Sequence, residues 1–248
     1  MSKIYKKFQD FEVINIEEIR KEFPQINHRA VIKYLLKKGY WKVLKKGLYQ
    51  NTAFQDINKF ILGSRLFRGG VIAYHSALEV HGLAQSIFNT VHIFITNIQN
   101  VEKSIINEIK YQPVKNTISK GVIKVPIGQS QVLCIDQERT VIDCIDKLKY
   151  VGGLEEYFKS ISSIAYINEK KVIDYLDAYD KAALYHKVGF VLDHFKNQWK
   201  VSEYTLRSIE NGISKKKTVF LEPKSKKVVF VKKWNLLVPK NFASLIRE

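Results

Sequence analysis

Two absences narrow the field at once. The 248-residue sequence holds only two cysteines, Cys134 and Cys144. With no C-x-x-C spacing, they exclude a disulfide scaffold and a cysteine-based zinc site, and they read as reduced core residues. No apolar run approaches the roughly 18 residues needed to span a bilayer. The opening stretch, MSKIYKKFQDFEV, lacks the apolar segment of a signal peptide. A soluble, cytoplasmic protein with no membrane partner is therefore expected.

Recognisable catalytic chemistry is also scarce. There is no Gly-rich phosphate loop and no G-x-S-x-G elbow. His75 and His81 are six residues apart, on opposite faces of one expected helix at ~100° per residue. His186 and His194 can share a face, but no acid or cysteine pattern completes a metal site with either pair. Three acid-x-Lys tripeptides occur, at Glu108–Lys110, Glu169–Lys171 and Glu222–Lys224. Chance supplies about three in this composition, so they do not signal a metal-dependent nuclease. No catalytic residue, metal or cofactor is expected. Arg139 and Asp143, at i and i+4, are expected to pair on a helix that opens at Asp136.

The third absence is local. Residues 27–50, NHRAVIKYLLKKGYWKVLKKGLYQ, carry seven Lys or Arg and no Asp or Glu. The net charge of +17 sits at the two ends. Residues 1–50 hold 12 basic and 5 acidic side chains, residues 51–213 hold 19 and 17, and residues 214–248 hold 10 and 2. A near-neutral middle flanked by basic ends implies a polyanion-binding module on a more ordinary domain.

That module has a legible grammar. Asn15 reads as an N-cap with Glu18 three residues on, Ile16, Ile19 and Phe23 follow at helical spacing, and Pro24 ends the helix. Asn27 caps a second helix, about His28 to Lys38, stopped by Gly39. On it Val31, Tyr34 and Leu35 are expected to pack inward, while Arg29, Lys33 and Lys37 form one basic stripe. Ile32 and Leu36 lie beside that stripe without evident burial. Two strands, Tyr40–Leu44 and Leu48–Tyr49, then flank Lys45-Lys46-Gly47 as a wing.

The fold class expected is α+β: an N-terminal winged helix-turn-helix, residues 1–53, followed by a larger mixed C-terminal domain, residues 54–248. The partner expected is double-stranded DNA. Arg29, whose planar fork matches a guanine edge, and His28 in the first helical turn are the candidates for base contact. Lys33, Lys37, Lys42, Lys45 and Lys46 are the candidates for phosphate contact. Lys215, Lys216 and Lys217 form a possible second nucleic-acid patch or a solvated hairpin. The last strands are expected as a hairpin around Pro223–Ser225 followed by an extended segment. A metal-dependent enzyme targeted by the winged helix and a protein-interaction module are the alternatives.

Five stretches together carry a resemblance: KKGYWKVLKKGLY (37–49), AYHSALEVHGL (73–83), IDQERTVIDCID (135–146), VGFVLDHF (188–195) and KWNLLVP (233–239). In this order the chain resembles the AbiEi family, the antitoxin and transcriptional-regulator half of bacterial type IV toxin–antitoxin systems. The resemblance implies a winged helix that binds inverted repeats upstream of its own phage-defence operon and represses it. It also implies a C-terminal domain that counters a nucleotidyltransferase-type toxin without a stable complex.

Overall fold

A computed structural model of the protein describes residues 3–67, 69–96, 102–223 and 225–245. It is mixed α+β, with three separate sheets among the described residues. The chain packs as two compact units. One comprises Met1–Ile72, Asn89–Asn116 and Ile123–Cys134; the other comprises Ala73–Phe88, Thr117–Val122 and Ile135–Glu248.

The first unit opens with α1 (Lys3–Phe8), β1 (Val13–Asn15), α2 (Ile16–Glu22), α3 (His28–Lys37), β2 (Trp41–Lys45) and β3 (Leu48–Asn51). The caps read from sequence are all made. Asn15 Oδ1 accepts from Glu17 N at 2.9 Å, and Glu18 Oε2 accepts from Asn15 N at 3.0 Å. Asn27 Oδ1 accepts from Ala30 N at 3.1 Å. Gly39, at φ 71°, lets Tyr40 N reach back to Leu35 O at 3.0 Å. Asn27→Ala is expected to remove about 1 kcal/mol, read as a lower urea midpoint, because it leaves a first-turn N–H of α3 unpaired.

β3 lies between β1 and β2, antiparallel to both. Trp41 stacks on Tyr49 with centroids 5.9 Å apart, and both join the core of Ile4, Phe8, Ile14, Ile19 and Leu35. This core corrects one expectation: Ile32 is 5% exposed while Tyr34 is 46% exposed. The buried arc of α3 is centred between Val31 and Leu36 because Trp41 and Tyr49 add a second packing surface. A helix read against α2 alone does not reveal that surface.

The next helix begins at Lys59, because Asn58 caps it, accepting from Phe60 N at 2.9 Å. It precedes a six-stranded sheet in the order Ser104–Ile106, Ile109–Lys115, Thr90–Ile95, Val71–Ile72, Ser130–Ile135, Val122–Ile127. The alternating stretch TVHIFITNI (90–98) forms a strand as far as Ile95; residues 97 and 98 lie outside the described residues.

The second unit is mainly helical around Gln137–Asp146, eight of whose residues are buried. Arg139 is fully buried there. Its Nε donates to Asp143 Oδ2 at 3.2 Å, and its Nη1 donates to the carbonyls of Ile118 and Lys120 at 3.0 and 2.5 Å. Tyr179 donates to the other oxygen of Asp143. Burial lifts the Asp143 carboxyl to about 6, against the lowering effect of the Arg139 charge. Cys134 and Cys144 are buried and form no disulfide.

The three C-terminal strands correct the expected hairpin. Val219–Phe220 and Val228–Val231 do not pair with each other. Leu236–Pro239 lies between them, parallel to the first and antiparallel to the second. Leu236 and Val238 are 0% and 4% exposed, so the most apolar strand takes the centre.

Candidate nucleic-acid interface

α3 is held against α2 by a short turn. Phe23 N donates to Ile19 O at 2.9 Å, and Ile26 N donates to Phe23 O at 3.3 Å. His28 Nε2 also donates to Phe23 O, at 2.6 Å. His28 is half-buried, so this ring pins the turn and has only its other nitrogen left for an outside partner.

Arg29, Lys33 and Lys37 are exposed along α3, and Lys42, Lys45 and Lys46 are exposed on β2 and its turn. Gly47, at φ 79°, closes that turn, and its carbonyl accepts from Ile16 N at 2.8 Å. The β2–β3 hairpin is thereby fixed to the start of α2. A groove of about 640 Å³ is lined by the buried Ile32 and Tyr49, the partly buried Ile16 and Leu36, and the exposed Arg29 and Lys33.

The local electrostatics turn on where the acids go. Glu17 pairs with Arg20 at 2.7 Å, Glu22 with Lys7 at 2.8 Å, and Glu18 with Arg65 at 3.2 Å. Every acid of α2 is thus taken by a cation outside the stripe. Among the described residues, Arg29, Lys33, Lys37, Lys42 and Lys46 make no ion pair or side-chain hydrogen bond. Lys45 is held by a neutral group: its Nζ donates to Ser104 Oγ at 3.1 Å. Sequence reasoning missed this tether, because Ser104 lies 59 residues away.

The acid-x-Lys tripeptide at residues 169–171 is taken up by local partners. Glu169 accepts from Ser202 N and Oγ, and these bonds hold its carboxyl below the usual range against the opposing effect of burial. Lys171 reaches Asp136 at 3.0 Å and Glu138 at 3.4 Å instead. Tyr175 donates to Asp136 at 2.6 Å, and Asn168 N donates to Glu138 at 3.0 Å. Lys224 lies outside the described residues. No group of three or more His, Cys, Asp or Glu among the described residues is placed to hold a metal ion.

The histidines are built into the scaffold. His75 is fully buried, stacked on Phe88 at 3.7 Å, with its nitrogens 3.1 and 3.0 Å from Glu79 and Glu156. His81 and His186 donate to the carbonyls of Ile135 and Trp234 at 2.7 and 2.9 Å. Lys215, Lys216 and Lys217 are exposed just before the strand Val219–Phe220. No helix among the described residues is long and apolar enough to cross a membrane.

No model of a known protein family matches the chain, and no curated protein matches it.

Proposed function

We propose that residues 1–53 form a winged helix-turn-helix that binds duplex DNA, and that the protein is an autorepressor and antitoxin of a type IV toxin–antitoxin operon. The observation that carries the DNA reading is the uncompensated charge. α3 and the wing present six exposed cations, while every acid of α2 is neutralised elsewhere. Lysines and arginines left unpaired on one small fold release counterions from a phosphate backbone when they bind it. A helix ~10–12 Å across matches the major groove.

In this reading α3 enters the major groove of an inverted-repeat operator. Arg29 reads a guanine edge, while Lys33 and Lys37 rest on phosphate. Lys42, Lys45 and Lys46 hold the backbone beside it. The assignment as an antitoxin acting against a nucleotidyltransferase-type toxin, without a stable complex, is supported by the ordered AbiEi-like stretches. A toxin gene beside this one, whose growth inhibition the protein relieves, is the expected genetic result.

The decisive experiment is a mobility shift on the protein's own upstream DNA at moderate salt. Arg29→Ala is expected to relax sequence preference by about 1–3 kcal/mol at one base pair. Lys45→Ala is expected to weaken operator and random DNA alike. Equal losses on both DNAs for Arg29→Ala would remove base reading from that residue.

A further inference from the structure

The C-terminal sheet has two unlike faces. Its inner side buries Leu236 and Val238, and the turn before the central strand is anchored by Trp234, 1% exposed, whose Nε1 donates to Asp193 at 3.0 Å and whose carbonyl accepts from His186. On the outer side, Phe220, Leu237 and Phe230 stand opposite one another across the three strands. Phe220 is 43% exposed and Phe230 52% exposed. Two aromatic rings in one row, each about half exposed, leave much of their apolar surface in water. They are, however, the arrangement on which unpaired bases stack.

Charge supplies the second half of the case. Lys215, Lys216, Lys217 and Lys232 lie at the end where Leu236 begins the central strand, and Lys226 and Lys227 lie at the other end. All six are exposed and make no ion pair among the described residues. Lys233 is already bound to Asp193 at 3.1 Å. A depression of about 510 Å³ is lined by Lys215, Lys232 and Lys233, with one acid, Glu210, among them. Residues 214–245 carry a single acid, Glu222.

We infer that this face binds single-stranded RNA, its bases stacked on Phe220 and Phe230 and its backbone running between the two lysine clusters. A duplex hides its base faces and has no use for exposed rings. Unpaired bases are the form in which RNA is most often recognised. The inference rests on no part of the DNA reading, which concerns other residues.

The test is fluorescence anisotropy of the full chain with labelled oligo(U) of about twelve nucleotides, a length within the usual site sizes. Oligo(dT) of equal length and duplex DNA are the comparison ligands. Phe230→Ala is expected to weaken oligo(U) binding about tenfold, and the double variant with Phe220→Ala about a hundredfold. Phe230→Trp is expected to keep the affinity, and duplex binding should not change. The unfolding midpoint of each variant should match the parent, because both rings are half exposed.

Failure of oligo(U) to bind, or indifference to loss of both rings, would overturn the inference. Tighter binding of oligo(dT) would overturn the assignment to RNA. A dimer dissolved by the same substitutions would give the face to a second copy of the chain and also overturn it.

Discussion

Arg139→Met is expected to cost about 3–5 kcal/mol of unfolding free energy at neutral pH, because it leaves the buried Asp143 carboxylate without its guanidinium. The same change strips a donor from the carbonyls of Ile118 and Lys120. The loss should shrink as the pH is lowered. Asp143 already titrates near 6 with the arginine present, well above its unfolded value. A raised folded pKa favours folding while the group is protonated, and the advantage disappears as pH rises through that pKa. Without Arg139 the pKa climbs further, so the variant is penalised most where Asp143 must be charged. Urea titrations at about pH 5 and about pH 8 measure the difference. An equal loss at both would show that the lost carbonyl contacts, not the carboxylate, dominate.

How much of this was legible beforehand depends on the range of the interaction. The i,i+4 pair of Arg139 with Asp143 is local and was readable, as were the caps at Asn15 and Asn27 and the stop at Gly39. Long-range pairing was not. The strand Ile109–Lys115 runs parallel beside Thr90–Ile95, yet its lysines and proline give no strand alternation. The hairpin that precedes it turns on Asn107 and Glu108, both at positive φ, without the usual glycine. At the C terminus, nearness in sequence argued for a hairpin, and the burial of Leu236 and Val238 decided otherwise. In the candidate interface, the exposed lysines followed from composition and spacing. The half-buried His28 and the tethered Lys45 required the partners Phe23 and Ser104, which spacing does not supply. Phe220 and Phe230 carried no signal at all until their register placed them in one row, on either side of Leu237.

The second large effect belongs to the proposed wing. If Lys42, Lys45 and Lys46 each neutralise a phosphate, replacing all three by alanine removes about 0.9 per contact from the slope of log affinity against log salt. The combined change is a slope shallower by about 2.7 and an affinity lower by about a hundredfold near 0.15 M salt. Loss should be the same on operator and random duplexes, because phosphate contacts carry no sequence. Titrations at several salt concentrations separate this outcome from misfolding, which lowers the active fraction without changing the slope. An unchanged slope would place the wing away from the backbone. The side chains are exposed, so the fold should tolerate the triple substitution.

The contact between Lys45 and Ser104 has a consequence for how quickly such a surface can engage. A hydroxyl restrains the ammonium in place without cancelling its charge, so part of the ordering is complete before any ligand arrives. Had a carboxylate stood at position 104, an incoming phosphate would first have had to evict it. With serine there, the DNA binding proposed above would be a handover from a weak neutral acceptor to a strong anionic one, and the β2–β3 hairpin would trade partners without first being set free.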